Sequence, residues 1–233
     1  MKPTLFLLAF LAFQVCFSQS ITGPELLNKA IKYHDPNGNW EQFNSQFIVT
    51  METPNSSNRE SNIQINIPHE YFQVKETRDT TQTTYTINKA KCRTSITDSV
   101  AGKRTPCEMA KLYKNYYTYL YGLPMKLKDP GTHISETVEK QSFKGKEYLV
   151  LEVQYDKAVG NDVWYFYFDP TTYAMEIYQF YKGHPNGKGK DTGEYILLTE
   201  EAAIQDIKMP KNRAWYYNKD DKYLGTDKLK VNE

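Results

Sequence analysis

From Phe43 onward most of the chain alternates apolar and polar residues with a period of two, and this pattern narrows the possible folds more than any other feature. FNSQFIVTME sets Phe43, Ser45, Phe47, Val49 and Met51 against polar neighbours, and SNIQINI lines up Ile63, Ile65 and Ile67. Successive side chains of a β-strand point to opposite faces, so each segment reads as a strand with one apolar and one wetted face. Strands of that kind make an antiparallel sheet that covers a core on one side. YFQVKET, TTYTIN and the segment from Cys92 to Thr97 continue the series. After an interruption, HISETVEKQSF, GKEYLVLEVQY, DVWYFYFD and YAMEIYQFY form a meander, with DPTT (Asp169 to Thr172) turning the last two into a hairpin. TGEYILLTEEAAIQDIKMP and RAWYYN add one or two further strands. The 19 Tyr and 11 Phe residues point the same way, because aromatic side chains favour strands.

Two segments carry helical spacing instead. From Pro24 to about Tyr33, Leu26, Leu27, Ala30 and Ile31 make an apolar stripe, with Thr22 placed to cap the first turn. YHDPNGNW follows, Tyr33 to Trp40, where Pro36 stops the helix and Asn37-Gly38 supplies a turn. It is expected to join the first helix to the first strand, with Asp35 and Asn37 tying the turn and Trp40 anchoring it in the core. From Pro106 to Tyr121, Cys107, Ala110, Tyr113, Tyr117, Leu120 and Tyr121 fall near helical spacing until Gly122 and Pro124 end the run. Roughly ten strands and two sizeable helices make an α+β fold with a large curved antiparallel sheet. A sheet that large must curl, close or be covered.

The first residues, MKPTLFLLAFLAFQVCFSQS, have one lysine, a short apolar run from Leu5 to Phe13, and small or polar residues after it. That arrangement reads as a cleaved signal peptide, residues 1–18, with cutting after Ser18 or Ser20, because a membrane span needs ~20 apolar residues. A lipid anchor at Cys16 is not expected, since Gln14 and Val15 precede it where a lipoprotein signal places a small residue. A single domain, 19–233, remains, without a Ser/Gly- or Pro-rich linker to divide it. It carries 28 basic and 28 acidic residues, which leaves no electrostatic footprint for nucleic acid. A periplasmic or secreted protein, monomeric, is expected. In an oxidising compartment Cys92 and Cys107 are expected to form a disulfide, tying the second helix to the strand before it.

Motifs for chemistry are sparse. His34, His69, His133 and His184 show no metal-ligand spacing to one another or to cysteine, and no HExxH, CxxC, GxSxG, SxxK, P-loop or GxGxxG occurs. No catalytic residue, metal site or cofactor is therefore assigned. A contact by His34 and Asp35 with a ligand or metal, and a pair of carboxylates facing across a cleft, both stay open. The densest feature is aromatic: WYFYFD, Trp164 to Asp169, and YKNYYTYLYG, Tyr113 to Gly122. One sheet face and a covering helix could enclose an apolar cavity there, with Tyr113, Tyr117, Leu120, Trp164, Phe166 and Phe168 as its candidate ligand-binding wall.

YHDPNGNW, GLPMKLKDPG, WYFYFDPTT and RAWYYNKDDKYLGTD, taken with the order of elements, resemble a secreted family of unknown function from Bacteroidota. Its fold is similar to the periplasmic lipoprotein-carrier, or LolA-like, half-barrel. The resemblance implies a curved sheet with helices covering its concave face and an apolar interior that holds acyl chains. A lipid or acylated ligand is then the implied partner, with an envelope protein as a second. The carriers latch their lid with an arginine, for which Arg59 and Arg78 are candidates by position. A non-enzymatic binding protein would have a cavity wall free of charge. A secreted hydrolase using acidic residues would gather carboxylates, or a histidine and a carboxylate, in a cleft, and a structural envelope protein would have a sheet face packed solid.

Overall fold

The computed structural model describes residues 21–96 and 104–231; the leader, the cleavage sites and Cys16 lie outside them. Twelve strands form one antiparallel sheet: β1 Asn44–Thr53, β2 Ser56–Asn66, β3 Tyr71–Arg78, β4 Thr81–Asn88, β5 Lys91–Ile96, β6 Thr132–Phe143, β7 Lys146–Tyr155, β8 Val163–Phe168, β9 Met175–Tyr181, β10 Glu194–Ile204, β11 Ile207–Tyr217 and β12 Tyr223–Val231. The order β5-β4-β3-β2-β1-β12-β11-β10-β9-β8-β7-β6 is two meanders sewn together where β1 pairs with β12. β5 and β6 are consequently the two edges, and the segment between them must travel from one edge to the other. That segment holds α2, Pro106–Gly122, while α1 is Gly23–His34.

The count exceeds the expected ten because the C-terminal region supplies three strands rather than one or two. TEEAAIQDIKMP is a hairpin, turned by Gln205 and Asp206 with positive φ at both (51° and 61°). KYLGTDKLKV, which the alternation pattern had left unassigned, is β12 and closes the join.

Both helices begin with reciprocal caps. Thr22 N donates to Glu25 Oε2 at 2.9 Å and Thr105 N to Glu108 Oε2 at 2.7 Å, with each threonine hydroxyl accepting from its glutamate's N–H in return. α1 buries Leu26, Leu27 and Ala30 against β6 and β11, and α2 packs across β3, β4 and β5. A Cβ on Gly122, at the end of α2, would stand 2.2 Å from the Trp40 ring, so only glycine lets the helix come that close.

YHDPNGNW is the junction it was expected to be. Asp35 accepts from Asn39 N at 2.8 Å and from Trp40 N at 2.9 Å, and Trp40 is buried. The second tie comes from Asn39 rather than Asn37, through Asn39 Nδ2 to the Gln205 carbonyl at 2.9 Å. His34 is buried between α1 and the sheet. Its Nε2 accepts from Met175 N at 2.9 Å, which puts the ring proton on Nδ1 and lets that nitrogen donate to the Lys208 carbonyl at 2.9 Å. Both nitrogens are thus used by backbone, and neither is left for a metal or a substrate.

Burial pushes the His34 pKa below its ordinary 6.5. The folded state then binds fewer protons than the unfolded one below that pH, so its contribution to stability is complete above pH 6.5 and is lost as pH falls towards the depressed value. Urea titrations at stepped pH should show an added loss of up to about 1.4 kcal/mol per pH unit in that window. His34→Gln should lack that component of the slope; an unchanged slope would refute the assignment.

Candidate functional site

The two groups of expected wall residues share one face of the sheet and one continuous core. On α2, Tyr113 lies 5.2 Å from Tyr85 and Tyr117 6.4 Å from Phe72, ring centre to ring centre, and Leu120 is buried beside them. On β8, Trp164, Phe166 and Phe168 point to the same face, with Trp164 4.8 Å from Phe180. Tyr119 links the groups, touching Trp164 at 5.7 Å and hydrogen bonding the Tyr155 hydroxyl. Tyr117, Phe166 and Phe168 are packed on all sides, and none of the six lines the open space beside α2.

That space is a cavity of about 250 Å³, open to solvent on one side, lined by Met51, Thr53, Tyr116, Glu194, Trp215, Leu224 and Gly225. The pairing of β1 with β12 and of β12 with β11 brings Met51, Gly225 and Trp215 together, and α2 lowers Tyr116 onto them. The Tyr116 and Trp215 rings stack at 6.4 Å with an 18° interplanar angle. Their polar atoms turn inward: Tyr116 Oη donates to Asp227 Oδ2 at 3.3 Å and Trp215 Nε1 donates to the same oxygen at 3.2 Å. Apolar ring surface is left towards the cavity, and the carboxylate is hidden behind it. Glu194 stands at the lining, and burial raises its pKa.

The expectation of an uncharged interior is overturned. Arg213, on β11, is wholly buried and sits across the strand pair from Asp227. Its Nη1 donates to the Pro210 carbonyl at 3.1 Å, its Nη2 to the Leu120 carbonyl at 3.2 Å, and its guanidinium lies 3.9 Å from the Tyr121 ring centre. A long apolar stem and a planar head that stacks on a ring allow arginine to occupy a core where lysine would not fit. Burial raises the Asp227 pKa, and Arg213 and Arg59 pull it back down. Nearer the other edge, Arg59 on β2 meets Glu76 at 3.3 Å and lies 6.0 Å from the Tyr113 ring centre. Of the two latch candidates, Arg59 therefore reaches α2, whereas Arg78 lies at the β3–β4 turn. The helix is held at its other side by Arg213, which no motif singled out.

The N-terminal turn of α2 is covalently fixed. Cys92 on β5 and Cys107 on α2 form the expected disulfide, with Cα atoms 5.8 Å apart. α2 is thus anchored by the bridge at its start and by Arg213 near its end.

Carboxylates also gather on the outer side of α1, where Asp169, Glu176, Glu200 and Glu201 line a hollow with Tyr33 and His34. Lys146 spans Asp169 and Glu176 at 2.8 Å each, and Tyr33 Oη donates to Glu201 at 2.9 Å. With both ring nitrogens committed to backbone, His34 does not serve as a base in this hollow. Among the described residues no group of three or more His, Cys, Asp or Glu side chains could hold a metal ion.

A family model, "Family of unknown function (DUF6503)", matches residues 2–232. The chain belongs to that family. Among solved structures, it is similar to a LolA superfamily protein of Nitrosomonas europaea, with a TM-score of 0.54 and 12% identity over 91% of this chain and 93% of that one. It is also similar to a DUF1329 family protein of Desulfovibrio piger, with a TM-score of 0.52 and 8% identity over 91% and 92%. No curated protein matches. At these identities the likeness is one of fold: a curved, unclosed antiparallel sheet of the LolA-like kind with two helices. No helix among the described residues is long and apolar enough to cross a membrane.

Proposed function

We propose that the chain is an exported, periplasmic or secreted binding protein of the LolA-like kind, which holds a lipid or another apolar group, without catalysis, in the space between α2 and the sheet. The observation that carries this reading is the cavity walled by Met51, Tyr116, Trp215 and Leu224, whose aromatic N–H and O–H groups are already satisfied by Asp227. Apart from Thr53 and from Glu194, whose pKa burial raises, the lining offers a hydrocarbon guest apolar area. Its volume suits the end of one chain; a longer guest enters if α2 lifts from the sheet between its two anchors, carrying Tyr113, Tyr117 and Leu120 as one side of a deeper wall with Trp164, Phe166 and Phe168 on the other.

The position that tests this is Met51, half-buried at the cavity. Charged substitutions at Tyr117 or Leu120 would unfold the core, since both are buried. Titration of the purified protein with 1-N-phenylnaphthylamine should give saturable fluorescence enhancement, displaced by a long-chain acyl compound. Met51→Arg should weaken it by about tenfold or more, the effect of placing a charge against an apolar guest, at a closely similar melting temperature. Equal enhancement in both proteins would refute this site.

A further inference from the structure

The sheet has a second face, and β6 to β9 carry an unusual set of residues on it. Strand alternation sends Trp164, Phe166 and Tyr178 to the helix side and Tyr165, Tyr167, Gln179 and Tyr181 to the other, where no helix among the described residues packs. There they line a groove of about 260 Å³, closed on one flank by Glu139 and Gln141 of β6 and on the other by the loop carrying His184 and Asn186. Neither α2 nor any residue of the apolar cavity contributes to it.

The groove combines ring surface with fixed polar groups of both kinds. Tyr165 and Tyr181 meet edge to face at 5.9 Å, which leaves the faces of the edge-on ring uncovered by its partner. Tyr165 Oη donates to Glu152 Oε2 at 3.1 Å, and Gln154 holds the other oxygen of that carboxylate at 2.8 Å. Tyr167 Oη donates to Gln179 Oε1 at 2.6 Å while Gln179 Nε2 donates to Asn218 at 2.8 Å, so the amide cannot turn. Gln141 Nε2 donates to Glu139 at 2.7 Å. His184 Nδ1 accepts from Asn186 N at 3.2 Å, which puts its proton on Nε2 as a free donor.

We propose that this groove binds one pyranose ring of a neutral saccharide. The C–H face of a pyranose packs on an aromatic ring, while its hydroxyls each donate and accept and so need carboxylate acceptors beside amide or imidazole donors. Few other ligands need both. A hydrocarbon would bury Glu139 and Glu152 against itself without compensation. An anion would meet two carboxylates with no lysine or arginine among the lining residues. A metal ion would want more ligands than converge here. The side chains are held in place before binding, which lowers the cost of ordering them.

Electrophoresis of the intact protein through native gels containing laminarin, xyloglucan or galactomannan, with polygalacturonate as the anionic control, reads this directly. At least one neutral polysaccharide should retard migration, and calorimetric titration with its hexasaccharide should saturate at one site. Tyr181→Ala and Glu139→Gln should each weaken that binding about tenfold or more at unchanged melting temperature; Glu139 is exposed, so its variant decides the matter should Tyr181→Ala fold poorly. Met51→Arg, on the other face, should bind as the native protein does, which keeps this result separate from the fate of the apolar cavity. No retardation by any of the three neutral polymers, retardation by polygalacturonate alone, or native-like binding by both groove variants would overturn the proposal.

Discussion

Arg213→Ala is expected to cost about 3–5 kcal/mol of folding stability, as breaking a buried charged network does. The guanidinium donates to the carbonyls of Leu120 and Pro210, and Arg213 stands opposite the buried Asp227 in the β11–β12 pair, where its charge lowers that carboxyl's pKa. Without it, those carbonyls lose their partner in a dry interior, and Asp227 must either stay ionised unaided or take up a proton. Arg213→Lys should recover only part of the loss, since an ammonium on a flexible stem cannot stack on Tyr121 while serving two carbonyls. A paired Arg213→Met, Asp227→Leu variant should be less destabilised than the two single losses added together, because each single change strands the other partner. Urea denaturation of the native protein, Arg213→Ala, Arg213→Lys, the Arg213→Met and Asp227→Leu single variants and their double measures all of this. A single-variant loss within about 0.5 kcal/mol of zero, the range of ordinary surface substitutions, would show that Arg213 does not hold the sheet and α2 together.

Removing the disulfide is the second large effect. Closing a loop with a separation of 15 residues is worth about 3 kcal/mol in the chain-entropy model, and Cys92→Ala with Cys107→Ala should lower stability by about that amount. The loss should be uneven along α2. Its first turns lose their tether to β5, while its last turns keep Arg213, the Tyr117 bond to Ser61 at 3.0 Å and the packing of Tyr121 on Phe47 at 4.8 Å. Hydrogen exchange should therefore quicken at the amides of residues 109–113 and change little at 117–121. Uniform protection along the helix would mean the bridge is incidental to how the helix is held.

What the sequence revealed and what it withheld follow from the range of the interactions involved. Alternation located the strands around Phe47, Ile63 and Phe166 because a residue's face in a strand depends only on its immediate neighbours. Helix starts at Thr22 and the stop at Gly122 are equally local, and the pairing of Cys92 with Cys107 needed only a count and a compartment. The β10–β11 turn was missed because Gln205 and Asp206 adopt the left-handed region without a glycine or proline to mark it, in a segment, TEEAAIQDIK, that reads more like helix than hairpin. β12 was missed because Gly225 and the charges of DKLK interrupt its apolar pattern.

The cavity lay further out of reach. Met51, Tyr116, Trp215 and Gly225 come from β1, α2, β11 and β12, and only the closing pair β1–β12 makes them neighbours. Arg213 gave no sign either, because a buried arginine looks like an exposed one until the rings of Tyr121 and Tyr178 are placed around it. Of the densest aromatic runs, Tyr117, Trp164, Phe166 and Phe168 belong to the core on the helix-bearing face, whereas Tyr165 and Tyr167 of WYFYFD face the other way.

The central claim is that the space beside α2 holds an apolar guest, and native mass spectrometry of the protein purified from its own host tests it most directly. The account predicts a reproducible added mass, extractable into organic solvent as a lipid or acylated compound and absent from Met51→Arg prepared in the same way. A bare polypeptide mass under gentle conditions, or an adduct carried equally by Met51→Arg, would contradict it.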